Sequence, residues 1–168
     1  MTVPRRLVPF RTIGPVWWSG MTATTQRPYS VLITDDDKQQ RETLRDIVEP
    51  EGYRALLASS GEEALEIVRH EPVHVVLLDM HMPTLTGLET VQLVHQQVSV
   101  SLPCILVTAD ATENLIRQAL RAHVYSVIPK PVSKHVVLYT VVRAIVRAYG
   151  RPDKTDPPVT DRTKESEP

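Results

Sequence analysis

The sequence predicts an α/β fold in which five parallel strands form a doubly wound sheet of order 2-1-3-4-5, with helices on both faces. Two observations support this prediction. Short runs rich in Val, Ile and Leu alternate strictly with amphipathic stretches, and these runs are apolar throughout rather than at every second position. Strands of that kind are buried on both faces, as in a parallel sheet with helical crossovers. Right-handed crossovers leave few arrangements of five strands, and the flavodoxin-like order is the leading one.

Each predicted strand is a short aliphatic run bounded by turn-forming or charged residues. The five strands cover residues 30–34, 54–58, 74–78, 104–108 and 125–128. Amphipathic stretches fill the intervals and predict helices over residues 38–48, 62–70, 88–97, 113–122 and 134–148.

Local signals support several of these helices. The acidic run 35–37 ends at Asp37, which is placed to cap the first helix. The second helix opens with Ser60-Gly61-Glu62-Glu63, a capping-box pattern. In the last helix Val137, Val141 and Ile145 recur every fourth residue, a spacing that favours a helix although Val and Ile are numerous there.

Proline placement divides the chain into three parts. Residues 1–28 contain four prolines, four arginines and no acid, and we expect them to form a flexible N-terminal extension. Residues 150–168 contain four prolines and almost no large apolar side chain, so we expect a disordered C-terminal tail. The domain predicted from this pattern covers residues 29–149.

Composition excludes several classes of function. A net charge of −1 gives no basic face for nucleic acid, so we expect no direct DNA binding. No apolar run approaches the roughly 20 residues that cross a bilayer, so we expect no membrane partner. The single cysteine, Cys104, excludes an intramolecular disulfide and a cysteine-based zinc cluster. It lies in an apolar run, which predicts a buried thiol and fits a cytoplasmic protein.

Reactive side chains stand at the carboxyl ends of four predicted strands. They are Asp35 and Asp36 after the first strand, Asp79 after the third, Thr108 after the fourth and Lys130 after the fifth. Parallel strands bring these ends to one edge of the sheet, where ligands bind at the switch point. Each of these residues has an ordinary alternative role, as a helix cap, a loop acid, a structural threonine or a solvated lysine.

The charges of this cluster predict a metal ion. Carboxylates about 4 Å apart repel by roughly 4 kcal/mol per pair at an effective dielectric constant near 20. Lys130 offsets one of three negative charges, and oxygen ligands with the remaining surplus suit Mg²⁺, with Mn²⁺ also tolerated. A metal, an ammonium group, a hydroxyl group and one central carboxylate are typical of phosphoryl transfer, with Asp79 as the nucleophile.

The motifs TDDD, LLDMHMPTLTG, LVTAD and PKP together resemble the receiver domain of two-component response regulators. The resemblance covers residues 29–149 and implies the five-stranded fold predicted above. It implies that Asp79 is the phosphoacceptor, with Thr108 and Lys130 beside it. It also implies that Asp35 and Asp36 position Mg²⁺, with Asp36 favoured as the direct ligand. The backbone carbonyl of the residue two after the acceptor is implied as a further metal ligand. The resemblance also implies that the bond preceding Pro131 is cis.

The residue that would supply this backbone carbonyl is His81. Its ring and the carboxylate of Asp110 are also placed to tune hydrolysis of the phosphoryl group. The resemblance implies a sensor histidine kinase or a phosphotransfer protein as phosphodonor.

Near the fifth strand the chain departs from the usual pattern of the receiver family that it resembles. Receivers usually carry Gly-Ala and then an aromatic residue three positions before the lysine, whereas His123, Val124 and Val127 stand here. Val127 cannot provide the usual swing of a ring toward the threonine. Tyr125, two residues earlier, is a candidate partial substitute, and Pro129 is acceptable because the strand lies at the sheet edge. The conformational readout of phosphorylation is therefore open.

The leading hypothesis is a receiver without an output domain in the chain, which signals by phosphorylation-dependent binding of an unknown protein target through its fourth helix, fifth strand and fifth helix. We expect a monomer or weak dimer that is not a turnover enzyme. The alternatives are a phosphorelay intermediate or phosphate sink, and a phosphorylation-independent interaction module. An aspartate-based hydrolase would want a second acid where His81 stands.

Overall fold

Strands and helices alternate strictly in the computed structural model, which describes residues 29–99 and 101–150. A short 3₁₀ turn, Glu49–Glu51, extends the first helix. The main elements are β1 Ser30–Thr34, α1 Lys38–Val48, β2 Arg54–Ala58, α2 Gly61–His70, β3 Val75–Asp79, α3 Gly87–Gln97, β4 Cys104–Thr108, α4 Glu113–Arg121, β5 Ser126–Pro129 and α5 Lys134–Tyr149.

The sheet confirms the predicted topology. Its five strands are parallel and lie in the order β2-β1-β3-β4-β5. Buried side chains form one cluster on the face covered by α2, α3 and α4, and a second cluster on the face covered by α1 and α5. Because the chain leaves β1 and β3 toward opposite faces, a crevice opens at the carboxyl ends of these two central strands.

Two observed strands, β3 and β5, are shifted by one residue from their predicted positions. β3 begins at Val75 and includes Asp79, one residue later at each end than predicted. β5 begins at Ser126 and includes Pro129, which pairs in register with Thr108. Proline lacks an amide hydrogen, and β5 tolerates it because the strand lies at the edge of the sheet.

The capping box predicted for α2 forms only in part. Ser60 accepts a hydrogen bond from the backbone of Glu63, but the Glu63 carboxylate accepts from the amide of Ser59 instead of that of Ser60. A complete capping box stands at α3, where Thr86 and Glu89 each accept from the other's backbone amide. Both arrangements satisfy amide groups that a helix start leaves without partners.

The remaining predictions about composition concern Cys104 and the chain ends. Cys104 is fully buried, and burial raises the pKa of its thiol to about 12. Within the described residues, no helix is both long enough and apolar enough to cross a membrane. The predictions for residues 1–28 and for the tail from residue 151 onward lie outside the described residues.

Candidate functional site

Three carboxylates meet at the carboxyl ends of β1 and β3. Oxygen atoms of Asp35, Asp36 and Asp79 lie within 4.8 Å of one another. Asp79 ends β3 and is 6% exposed, Asp35 follows β1 and is 2% exposed, and Asp36 faces solvent. The topology thus brings together the acids that the strand ends predicted, because β1 and β3 are neighbours in the sheet.

Lys130 provides the positive charge at this cluster. Its Nζ lies 2.9 Å from Asp79 Oδ1 and 3.3 Å from Asp35 Oδ2, and its side chain is 22% exposed. The amide of Lys130 donates to the carbonyl of Thr108 at 2.7 Å, which aligns the end of β5 with the end of β4. Burial lowers the pKa of Lys130, but its hydrogen bonds and Coulombic attraction to Asp79 and Asp35 outweigh burial and raise the pKa above its ordinary value.

Asp35 is held from several directions. Its Oδ1 accepts from the amide of Asp37 at 2.9 Å, and its backbone carbonyl accepts from the guanidinium of Arg41. Burial and the nearby charge of Asp79 raise the pKa of Asp35, and the Asp37 amide and Lys130 only partly oppose them. The contact of Arg41 was not predicted from the sequence, because it depends on how the first turn of α1 folds back over β1.

The acidic run 35–37 divides between two tasks. Asp37 is the N-cap of α1, as predicted, and its Oδ1 accepts from the amides of Gln39 and Gln40 at 2.8 and 3.3 Å. Asp37 is exposed and is not one of the three clustered acids. The capping role and the clustered role are therefore both present, on different residues of one run.

Thr108 ends β4 and is completely buried. Its hydroxyl oxygen accepts from the amide of Asp110 at 3.1 Å, and its own hydrogen has only a long contact, 3.4 Å, with the carbonyl of Asp110. The hydroxyl proton is therefore weakly held and free to turn toward another acceptor. The present contacts are those of a structural threonine, so the role of Thr108 stays a prediction.

The loop after β3 returns tightly against Asp79. The amide of Gly87 donates to the carbonyl of Met80 at 3.0 Å. A Cβ at position 87 would overlap the backbone carbonyl oxygen of Asp79 and come within 3.0 Å of its carbonyl carbon. Only glycine fits here without displacing the backbone of Asp79. In the same loop His81 is exposed, and Thr84 adopts a left-handed backbone conformation with φ of 67°.

The donor set fits a hard divalent cation. All three candidate side chains supply carboxylate oxygen, and a single ammonium group contacts them among the described residues. One positive charge beside three carboxylates leaves a surplus of negative charge at the cluster. Oxygen ligands with surplus negative charge are those that Mg²⁺ and Mn²⁺ prefer, whereas zinc favours nitrogen and sulfur.

The structure contradicts the proposed substitution of Tyr125 for the missing aromatic residue of β5. Tyr125 precedes the strand and packs with the cluster on the α1 and α5 face, where Arg147 Cζ lies 6.0 Å from its ring centroid. Val127 packs on the opposite face, against the cluster under α2, α3 and α4. The prediction was wrong because it assumed that the regular two-residue alternation of a strand extends back to Tyr125. The bond between Lys130 and Pro131 is cis, as the resemblance implies.

One aromatic cluster was missed from the sequence. The ring of His74 lies 5.1 Å from that of Tyr29 and 5.4 Å from that of Tyr149. His74 Nδ1 accepts from the amide of Ser30 at 3.0 Å, and the Tyr149 hydroxyl donates to the His74 carbonyl at 3.0 Å. The three residues are 45 or more positions apart and show no periodic signal that would connect them. Their ring contacts and hydrogen bonds connect the end of α5 to the chain at the starts of β1 and β3.

Comparisons with known proteins give one consistent result. The family model described as "Response regulator receiver domain" matches residues 31–142. The chain is 29% identical over 120 residues to the response regulator RR06 of Streptococcus pneumoniae, and the aligned segment covers 71% of this chain and 54% of that protein. It is 32% identical over 122 residues to the hydrogenase transcriptional regulatory protein HoxA of Cupriavidus necator, and the aligned segment covers 72% of this chain and 25% of that protein.

A solved structure shares the fold. The CheY-like response regulator receiver domain protein of Methanospirillum hungatei superposes with a TM-score of 0.69 at 26% identity, covering 72% of this chain and 96% of that one. The curated relatives are longer, since the chain spans about a quarter to just over half of their length. The likeness to these longer proteins is confined to one part of each.

Proposed function

This chain belongs to the response regulator receiver family, and we propose that its Asp79 accepts a phosphoryl group from a sensor histidine kinase or a phosphotransfer protein and thereby controls the binding of a protein target. The observation that carries the proposal is the contact of buried Asp79 with Lys130 at 2.9 Å, beside Asp35 and Asp36. These residues are those that a carboxylate nucleophile needs for phosphoryl transfer.

The proposed reaction moves one phosphoryl group. A carboxylate oxygen of Asp79 attacks phosphorus, and the phosphorus–nitrogen bond to the donor's histidine breaks. Its electron pair stays on the imidazole nitrogen, which takes a proton from solvent. Lys130 stays beside Asp79 and pairs with the incoming phosphoryl oxygens, while the weakly held hydroxyl of Thr108 turns to donate to one of them.

Mg²⁺ would bind to the carboxylates of Asp35, Asp36 and Asp79 and to the backbone carbonyl of His81. Mn²⁺ would also bind there. When bound, the ion neutralises negative charge on the phosphoryl oxygens. The chain's own residues contribute position and charge. Asp79 and Asp35 are fixed by burial and hydrogen bonds, whereas the exposed Asp36 is free to adapt to the ion.

The phosphoryl group remains covalently bound to Asp79, so the domain is a signalling device and not a turnover enzyme. Hydrolysis of the acyl phosphate by water resets it. His81 is exposed two residues after Asp79, and Asp110 is exposed two residues after Thr108, so both side chains would influence the access of water. We place the protein in the cytoplasm, where a buried reduced thiol such as Cys104 is ordinary.

Intact mass spectrometry tests the proposal. The full chain is incubated with acetyl phosphate or phosphoramidate, with and without Mg²⁺. We expect a Mg²⁺-dependent gain of one phosphoryl group that Asp79→Asn abolishes. Asp37→Asn is the matched control, because it makes the same chemical change two residues from Asp35 at a helix cap outside the cluster, and it should retain the adduct. No adduct in the unmodified chain, or an adduct that survives in Asp79→Asn, would overturn the proposal.

A second candidate function is a phosphorelay intermediate or phosphate sink, which needs no conformational output. The environment of β5 favours it, since Val127 stands where the family carries an aromatic residue and Tyr125 lies on the other face of the sheet. Amide hydrogen exchange with and without fluoroberyllate, a mimic of the phosphoryl group, separates the two functions. Changed exchange in α4 and α5 supports controlled partner binding, and changes confined to the loops around Asp79 support the relay or sink.

A further inference from the structure

Four contacts hold Asp35 at the end of β1, one at each of its polar groups. Its amide donates to the carbonyl of Ala58 at 3.2 Å, and its carbonyl accepts from the guanidinium of Arg41. Its carboxylate oxygens accept from the amide of Asp37 at 2.9 Å and from the ammonium group of Lys130 at 3.3 Å. The contact with Arg41 is the one that a side chain makes to the backbone, and it leaves both carboxylate oxygens to other partners.

The carbonyl of Asp35 belongs to the peptide group that leads into Asp36. A peptide group is planar, so a donor that fixes the carbonyl oxygen also orients the amide nitrogen of the next residue. The carboxylate of Asp36 is exposed, and it forms no hydrogen bond or ion pair with another group of the described residues. Its place beside Asp35 and Asp79 is therefore set by the backbone that carries it.

Helical spacing directs Arg41 toward this peptide group. Leu44 and Val48, three and seven residues further along α1, are buried against the sheet, so half-buried Arg41 continues their face at the end where the helix begins. A long apolar stem and a polar tip suit a position where a buried helix face meets the edge of the sheet. Within residues 29–99 and 101–150, the carbonyl of Asp35 is the hydrogen-bond partner of the Arg41 side chain, and no carboxylate lies within 4.0 Å of its guanidinium.

A second acidic residue attracts the guanidinium of Arg41 from a distance. Arg41 lines a cavity of about 260 Å³ together with Ser59 and Glu63, at the end of β2. The Glu63 carboxylate accepts from the amide and the hydroxyl of Ser59 at 2.6 and 2.7 Å. These hydrogen bonds and, to a smaller extent, the charge of Arg41 outweigh burial and lower the pKa of Glu63. Glu63 therefore stays ionised and helps to hold the guanidinium beside the end of β1.

The charge of Arg41 and its geometry have opposite effects on a bound metal ion. A guanidinium group near the acids repels a divalent cation, so its charge alone would weaken metal binding. Its hydrogen bond instead keeps the peptide between Asp35 and Asp36 in the orientation in which oxygens of the three acids lie within 4.8 Å of one another. Removal of Arg41 therefore strengthens metal binding if charge dominates and weakens it if geometry dominates.

We propose that Arg41 is a positioning residue of the metal site, whose hydrogen bond to the carbonyl of Asp35 fixes the backbone that presents Asp36 to a divalent cation. This inference rests on the proposed function, since it concerns the Mg²⁺ site beside Asp79. Partners that orient metal ligands typically contribute about 10–100-fold to metal affinity. Arg41 contributes in this way without contacting the ion or the phosphoryl group.

Electron paramagnetic resonance of Mn²⁺ titrated into the full chain tests this inference without any phosphorylation. The difference between the unmodified chain and Asp36→Asn defines the Mn²⁺ that is bound at the acids. Arg41→Met, which removes the hydrogen bond and the charge, should bind this Mn²⁺ about tenfold more weakly. Arg41→Lys keeps the charge but loses the planar guanidinium, and it should fall between the two. Arg45→Met is the matched control on the next turn of α1, where Arg45 pairs with Asp46, and it should change the affinity less than about twofold.

Unchanged or tighter Mn²⁺ binding by Arg41→Met overturns the inference, because that is the result of removing a positive charge alone. Circular dichroism checks that each variant is folded. If Arg41→Met is unfolded, Arg41→Lys decides, since weaker binding supports the inference and unchanged binding overturns it.

The dependence of the phosphorylation rate on Mg²⁺ separates positioning from general loosening of the fold. With acetyl phosphate as donor, Arg41→Met should raise the Mg²⁺ concentration for the half-maximal rate more than it lowers the rate at saturating Mg²⁺. A lower saturating rate with an unchanged half-maximal concentration contradicts a positioning role.

Failure of this inference differs from failure of the proposed function. Adduct formation by the unmodified chain, together with normal Mn²⁺ binding by Arg41→Met, overturns the positioning role alone. Weaker Mn²⁺ binding by Arg41→Met, when the unmodified chain forms no adduct, overturns the phosphoacceptor proposal alone. Equal Mn²⁺ binding by the unmodified chain and Asp36→Asn overturns both.

Discussion

Replacing Lys130 by methionine should destabilise the fold because its ammonium group contacts two buried carboxylates. Its Nζ lies 2.9 Å from Asp79 and 3.3 Å from Asp35. At an effective dielectric constant near 20, these separations correspond to gross attractions of about 6 and about 5 kcal/mol. Desolvation of the three ions offsets most of this attraction, but removing one partner leaves the others buried and uncompensated.

The net cost follows from comparison with measured buried pairs. Breaking a fully buried ion pair costs about 3–5 kcal/mol. The Lys130 side chain is 22% exposed, so solvent screens part of the interaction, and we expect Lys130→Met to lower the free energy of unfolding by about 2–3 kcal/mol. Lys134→Met is the matched control. Lys134 pairs with Glu51 at 3.5 Å, both side chains are about half exposed, and its loss should cost less than about 1 kcal/mol.

Urea unfolding followed by circular dichroism measures both variants, first with a chelator and then with Mg²⁺. Mg²⁺ should raise the unfolding midpoint of Lys130→Met at least as much as that of the unmodified chain, because the bound cation then relieves a larger repulsion among the acids. Equal stability losses in Lys130→Met and Lys134→Met would refute the reasoning. They would mean that the carboxylates at the site do not depend on the lysine for compensation of their charge.

Three further predictions concern the surrounding framework. Gly87→Ala should lower the free energy of unfolding by about 1–3 kcal/mol and slow phosphorylation, because the Cβ of the alanine would displace the backbone of Asp79. Urea unfolding measures the first effect and intact mass spectrometry the second. His123→Gly should raise the free energy of unfolding by about 0.5 kcal/mol, since His123 has a left-handed φ of 56°, and a thermal melt with no gain would contradict this. Burial lowers the pKa of His74, so the unfolded chain binds the proton of this side chain more tightly than the folded chain does. The free energy of unfolding should therefore fall from about pH 7 to about pH 5. His74→Asn keeps an acceptor for the amide of Ser30 and should lose less stability over that interval, as measured by urea unfolding.

The fold could be predicted from the sequence because its strongest signals are local. Continuous apolar runs identify buried parallel strands, and helical spacing identifies the segments between them. The clustered acids follow from the same prediction, since parallel strands bring their carboxyl ends to one edge wherever those ends lie in the sequence. Asp35 and Lys130 are 95 positions apart and yet lie 3.3 Å apart for this reason.

Features that depend on the rotation of one element against another could not be predicted. The face on which Tyr125 packs depends on where β5 begins, and a shift of one residue reverses the face of every side chain. The partner of the Glu63 carboxylate depends on the approach of β2 to α2, which no spacing of residues encodes. The overlap at Gly87 depends on how closely the loop returns to β3. Each requires a distance between elements, whereas the sequence pattern supplies only their order and direction.

The length of β5 limits how phosphorylation could influence the surface near the amino end of this strand. Lys130 follows this strand and Tyr125 precedes it, so at about 3.3 Å per residue the two lie about 16 Å apart along the chain. Charge at that separation is largely screened at physiological salt, where the Debye length is about 8 Å. The added negative charge is therefore largely screened at the amino end of β5, and we expect any change there to come from repacking of α4 or α5 against β5. Amide hydrogen exchange in α4 and α5 with and without fluoroberyllate consequently separates the two candidate functions. Changed exchange requires a conformational readout despite Val127, whereas unchanged exchange is the behaviour of a relay or a sink.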